Sequence, residues 1–226
     1  RMDMAANTGD TIFNIGDGGL TMSGATLRFG WTGLGSAETA QVNLGGDFTG
    51  SGMNHLDYLN PDNPRLLDLQ GATRTFNITS DTTTIAPTIQ NGGLTKTGAG
   101  TLVLTGNNTY TGPTSLDAGI LRITNAGALG ASADGVTVAD GAQLELSGGI
   151  TVSGRSLTMS GTGTNNRGPL QSVSGANTWT GDILLGANGT RIGAIGPGQT
   201  LTLSGAIGDG GNNYGLAVRN EDSGGT

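Results

Sequence analysis

Apolar residues recur along the chain at positions i and i+2, in short pairs separated by Gly, Asn, Asp, Ser and Thr. Leu27/Phe29, Val42/Leu44, Leu67/Leu69, Phe76/Ile78, Leu102/Leu104, Leu121/Ile123, Leu144/Leu146, Leu157/Met159, Ile183/Leu185 and Leu201/Leu203 all follow this spacing. It is the period of a half-buried strand, in which alternate side chains face opposite ways. No glycine-free stretch keeps apolar spacing of i, i+3, i+4 over three helical turns, so the pattern predicts an all-β chain. The residues between the pairs tolerate left-handed backbone or close their own turns, which suits them to link short strands.

Several pairs end alike, on Ser or Thr followed by Gly, over 20–24, 102–106, 144–148, 150–154, 157–161 and 201–205. Strands such as those at Leu102, Leu121 and Leu144 follow one another at roughly 18 to 23 residues, the period of one solenoid coil. At about 20 residues per coil the chain would hold on the order of 11 coils, a rod of roughly 50 Å at the inter-strand spacing of ~4.8 Å. A second repeat opens with Ile-Gly-Asp-Gly-Gly-Leu at 15–20, Ile-Gln-Asn-Gly-Gly-Leu at 89–94 and Ile-Gly-Asp-Gly-Gly at 207–211. Repeat-like modules are therefore expected near 15–44, 89–123 and 175–226. The last copy stops where the next strand is due, so residues 1–226 read as one solenoid segment of a longer protein, ended inside a repeat.

The run 92–112, Gly-Gly-Leu-Thr-Lys-Thr-Gly-Ala-Gly-Thr-Leu-Val-Leu-Thr-Gly-Asn-Asn-Thr-Tyr-Thr-Gly, is followed by Ala-Gly-Ile-Leu-Arg-Ile at 118–123. It closely resembles the autotransporter-associated β-strand repeat of bacterial passenger domains, and 175–181 carries a weaker echo of it. The resemblance implies a right-handed parallel β-helix exposed on, or released from, a Gram-negative-type cell surface. It implies no catalytic residues. Nothing in the chain resembles the membrane β-barrel translocator of a complete autotransporter, and 50–68 departs from the repeat pattern.

Composition narrows the chemistry. Glycine accounts for 44 of 226 residues, proline for 6 and charged residues for 12 %, so a salt-bridged helical enzyme is a poor fit. One lysine, Lys96, scattered arginines and a net charge of −7 give no positive patch for nucleic acid. The absence of cysteine excludes disulfides, thiolate metal sites and thiol catalysis. His55 is the single histidine, so no His pair can ligate zinc or iron. The Gly-Asp-Gly-Gly stretches lack the tandem nine-residue period of calcium β-rolls and read as turns. No catalytic residue, metal site or cofactor is expected. Asn107, Asn108 and Asn177 are placed to form amide ladders, and Tyr110 and Trp179, at equivalent places in the repeat, to pack inside. Arg28, Asp68, Arg122 and Glu145 each lie between two apolar neighbours and are expected to face solvent.

Segment 50–68 is the one stretch rich in functional side chains, and Pro61 and Pro64 within it suggest a loop leaving the solenoid. His55, Asp57, Tyr58, Asp62 and Arg65 are the candidate binding residues. The expected function is a non-enzymatic extracellular or outer-membrane-attached passenger, acting as stalk or adhesive scaffold. Its partners would be neighbouring coils of the same chain, cell-surface or glycan ligands, and further copies stacked end to end. A carbohydrate-active β-helix enzyme and a head-to-tail fibre subunit are the alternatives.

Overall fold

The computed structural model describes residues 2–4, 11–29, 39–58, 64–131 and 134–221. Over these residues the chain winds into a parallel β-solenoid, each strand pairing with its equivalents in the turns before and after. Three faces enclose one core. The first is ten strands deep and includes Asn54–Tyr58, Thr82–Ile85, Thr101–Leu104, Ile120–Ile123, Gln143–Ser147 and Leu170–Ser174. The second is nine strands deep and includes Phe48–Ser51, Thr73–Ile78, Gly93–Thr97, Thr114–Leu116, Val136–Val138 and Leu157–Met159. The third is split. Thr11–Ile15, Ala40–Leu44, Arg65–Asp68 and Thr88–Gln90 form one sheet, and Thr151–Val152, Ala176–Trp179 and Thr200–Leu203 another. Between them the face continues without strands, held by bonds such as Thr109 N–H to the Ile89 carbonyl (2.9 Å) and Ala131 N–H to the Tyr110 carbonyl (2.7 Å).

Leu102, Leu121 and Leu144 lie side by side in successive parallel turns, as the sequence period predicts. The turns are fewer and less uniform than a 20-residue coil would give. On the first face Leu27 pairs with Leu56, Leu56 with Ile85, Ile85 with Leu104 and Leu104 with Ile123, steps of 29, 29, 19 and 19 residues. The nine-stranded face therefore closes eight turns, a rod of roughly 40 Å at ~4.8 Å per turn. Pairing fixes only which strand residues meet, and corners of Gly, Ser and Thr can lengthen without disturbing it.

Stacking of like on like fills the interior. Leu102, Leu104, Leu121, Ile123, Leu144 and Leu146 are fully buried, and Phe48 stacks on Phe76 with ring centroids 5.8 Å apart. Tyr110 and Trp179 are fully buried, as expected from their repeated position.

The expected loop over 50–68 is instead largely wall. Phe48–Ser51, Asn54–Tyr58 and Arg65–Asp68 add one strand to each face, and 59–63, including Asp62, lie outside the described residues. The alternation was disguised because its inward positions are Asn54 and Leu56: a buried amide stands where a hydrophobic residue was sought. Two of the four charges expected in solvent are also buried. Asp68 and Glu145 are each 4 % exposed, because neighbouring turns supply side chains that bond to them on the outer surface. Arg122 donates to Glu145 Oε2 from Nε and Nη2, both at 2.7 Å, and Gln143 Nε2 donates to Oε1 at 3.1 Å.

If inward stacking carries the stability, Leu121→Ala costs about 2–5 kcal/mol. The outward Thr137→Ala, in contrast, stays within about 0.5 kcal/mol. Urea melts of the two variants check the assignment of faces.

Candidate binding surface

The polar side chains of the third face are in register. Asn14 pairs with Asn43, Asn43 with Asp68 and Asp68 with Gln90, all on the outer side of successive strands. Asn43 Nδ2 donates to Asn14 Oδ1 (2.7 Å), and Gln41 Nε2 donates to Asn43 Oδ1 (2.6 Å) and Asp68 Oδ2 (3.4 Å). Gln90 Nε2 and Asn91 Nδ2 reach the same Oδ2 at 2.8 and 2.7 Å, while the Gln70 backbone N–H binds Oδ1 at 2.8 Å. Asp68 is thus a hub whose two oxygens are occupied by four donors from three turns and the adjoining corner. Carboxylates accept such bonds more strongly than neutral groups, so the hub fixes the planes of the surrounding amides.

Beside the hub, where the third face turns into the second, lies an open groove of about 700 Å³. It is lined by Asp68, Gln70, Asn91, Thr73, Thr111 and Pro113, together with Gly71, Gly92, Gly93 and Gly112. Three of the glycines are imposed by close approach of the turns, since a Cβ on Gly92, at φ +143°, would run into the Ala72 carbonyl oxygen; Gly71 is instead suited by its left-handed backbone at φ +74°. Gln70 and Asn91 hold left-handed backbone at φ +59° and +53°. Asparagine adopts this region readily; glutamine does so at a cost.

Two of the three asparagines expected to form ladders do something else. Asn108 and Asn177 are buried, and with Asn54 they share one arrangement. Each Oδ1 accepts a backbone N–H from an earlier turn: Ala25 to Asn54 at 3.1 Å, Ile89 to Asn108 at 2.8 Å, Ile150 to Asn177 at 2.8 Å. Their Nδ2 groups donate to main-chain carbonyls, among them Ser51, Ala128 and Ser174. These amides replace sheet bonds where the chain bends at a corner. The ladder itself runs through Asn14, Asn43, Asp68 and Gln90. Its sequence signal was available: each lies between or beside inward apolar residues, at the outward place of the strand.

Lys96 is a further buried polar residue, and a charged one. It stands in the inward row between Phe76 and Leu116, fully buried, and Nζ donates to the carbonyls of Thr97 (2.7 Å), Gly98 (2.8 Å) and Ala118 (3.1 Å). Three N–H groups meet three acceptors, so the ammonium is satisfied, yet its desolvation lowers the pKa to about 8. Tyr110 is displaced the other way. Burial raises its pKa to about 12, against the opposing bond between its hydroxyl and Thr114 Oγ1 at 2.8 Å.

The candidate binding residues do not gather into one loop. His55 and Asp57 point outward from the first face, and Tyr58, 38 % exposed, ends their strand with its N–H bonded to Asp57 Oδ1 at 2.8 Å. Arg65 is buried at the start of a third-face strand and donates from Nη1 to the Pro64 carbonyl at 3.0 Å. Among the described residues no three His, Cys, Asp or Glu side chains group as metal ligands. The Gly-Asp-Gly-Gly stretch at 208–211 is a turn, in which Asp209 accepts the N–H groups of Gly211 (2.9 Å) and Tyr214 (2.7 Å), bonds that hold its pKa below the usual carboxylate value.

Comparison with known proteins finds a recognised repeat in the turn that follows this surface. Residues 94–123 match the family described as Passenger-associated-transport-repeat. The chain is also 37 % identical over 142 residues to the Adhesin BmaC autotransporter of Brucella suis biovar 1 (strain 1330). That match takes in 54 % of this chain and 4 % of the relative, so the chain spans a small fraction of the adhesin's length. No solved structure matches.

The two displaced pKa values give stability a maximum in alkali. Between pH 8 and 10 the unfolded chain retains the lysine proton that folded Lys96 has released, so stability rises, by up to about 3 kcal/mol for a shift from 10.5 to about 8. Above pH 10 unfolded Tyr110 ionises while the folded phenol, with its pKa near 12, does not, so stability falls. Denaturant melts from pH 7 to 11 should peak near pH 10. Lys96→Met should remove the rise and Tyr110→Phe should reduce the fall.

Proposed function

We propose that this chain is a non-enzymatic part of a secreted or surface-held bacterial passenger, serving as adhesive scaffold. The supporting observation is the unbroken parallel stack carrying a passenger-associated transport repeat, in a chain related over half its length to an autotransporter adhesin. Each turn adds backbone bonds to the last, so the solenoid lengthens without a new core and presents its outer faces as continuous surface. Asp68 and Glu145, outward carboxylates of the kind acid or base work requires, are committed to amide and arginine partners.

A second reading, head-to-tail stacking, rests on a different feature. A hollow of about 360 Å³ opens at the first turns, lined by Phe13, Ile15, Leu20, Met22, Ala25 and Leu27. At the opposite end Ile207 is 43 % and Val218 75 % exposed. Both features lie on the outermost of the described turns, where a parallel strand of another copy would add in the same direction.

Displayed on a non-adherent bacterium, the chain should increase attachment to a cell or abiotic surface, and the purified protein should release no reducing sugar from polysaccharides. Unchanged attachment, or sugar release, would reject the adhesive reading. Sedimentation velocity over a hundredfold concentration range should show dimers and longer end-to-end species; a strictly monomeric protein would reject stacking.

A further inference from the structure

The groove beside Asp68 has the chemistry of a saccharide seat. Among the described residues, the Gln70 amide and the Thr73 and Thr111 hydroxyls make no hydrogen bond, and all three line the groove. Asn91, also in the lining, spends its amide nitrogen on Asp68, which leaves its side-chain carbonyl oxygen held in place. Donors and acceptors are therefore mixed along the wall, and a ligand that both donates and accepts at every position is a polyol. The volume, about 700 Å³, lies within the range of small-ligand sites and suits a few sugar units.

Charge decides which saccharide. Asp68 is 4 % exposed and already accepts four hydrogen bonds, so it presents little of its carboxylate to a cation, while its negative charge and the net −7 of the chain oppose an anion. The glycines of the lining carry no side chain into the groove, and they are tied across successive turns: Gly71 N–H bonds to the Asn91 carbonyl and Gly112 N–H to the Gly92 carbonyl, at 2.9 and 2.7 Å.

The second face continues the surface from the groove. One pleat beyond Thr73 and Gly93, the outward side chains Thr75, Thr95, Ser115, Thr137 and Thr158 pair in register across five strands. Beside them Thr21, Thr49, Asn77 and Thr97 form a second such lane. Neither lane contains a charge. Backbone pairing spaces the groups at ~4.8 Å, and the threonines are stiff at χ1, so little freedom remains to be lost on binding. A peptide could not use this surface by strand addition, because the main-chain groups inside the sheet are already paired.

We propose that the groove at Gln70, Thr73, Asn91 and Thr111 binds a neutral polysaccharide strand, which continues over the threonine lanes of the second face. This deepens the adhesive reading and rests on it.

Affinity electrophoresis of the full chain through gels containing dextran, yeast-type mannan or soluble β-glucan tests the seat, with alginate as the anionic counterpart. The groove variant is Gln70→Gly with Thr73→Val: glycine suits φ +59° and valine keeps the shape of threonine, so its urea melt should match the parent. The lane variant is Thr95→Val with Thr137→Val. Retardation by a neutral polymer, weakened about tenfold in the groove variant and also reduced in the lane variant, is the expected result. No retardation by any neutral polymer, equal retardation of the groove variant, or stronger retardation by alginate would overturn the proposal; an unaffected lane variant would overturn its extension to the second face. Displayed on cells, a groove variant that adheres as well as the parent would overturn the seat and leave the adhesive reading standing, whereas a parent that fails to adhere would reject that reading itself.

Discussion

Parallel pairing between successive turns is the constraint on which the remaining structure depends. Once Leu102 is in register with Leu121 and Leu121 with Leu144, every inward side chain must pack on the residue one turn above and one turn below. A solenoid has no distant core to absorb a misfit, so the interior is made of columns, and each column tolerates only what its neighbours can cover. The columns here are mostly Leu, Ile and Val with a Phe48–Phe76 pair near one end. Small aliphatic residues serve because the cross-section is narrow, which accounts for a chain with 4 % aromatic residues that nevertheless folds.

The same constraint explains the buried polar groups. Corners interrupt the sheets, and there the main chain loses partners that strands would supply. Asn54, Asn108 and Asn177 restore them with one carboxamide each, accepting an N–H from an earlier turn and donating to main-chain carbonyls, local ones for Asn54 and Asn177 and one in the next turn for Asn108. Lys96 does this on a larger scale, with its stem in the column between Phe76 and Leu116 and its ammonium on three carbonyls. The outer surface obeys the register too. Asn14, Asn43, Asp68 and Gln90 meet because their strands are paired, and the bonds among them follow from that placement. A groove arises where this ladder ends against a corner built of glycine.

The sequence alone determined the strand period, the all-β class, the solenoid architecture and the inward residues of most turns. Spacing of two along a strand and near twenty between strands reflects local backbone geometry, and it survives whatever the turns do at their corners. Tyr110 and Trp179 were legible as interior for the same reason: they recur at one place in the repeat. The family resemblance at 92–123 likewise lay in local motif.

Only the tertiary structure decided what depended on neighbours in the next turn. Alternation marks Asp68 and Glu145 as outward, and they are, but whether an outward charge meets water or the side-chain donors of neighbouring turns is settled by residues 22 to 27 positions away. Asn54 and Lys96 concealed inward positions because a polar residue at a buried place is acceptable only when main-chain partners converge on it, and that convergence is a property of the stacked turns. Coil length escaped for the complementary reason. Register constrains the strands and leaves the corners free, so a chain of short Gly-bounded pairs is compatible with turns of 19 residues and of 29.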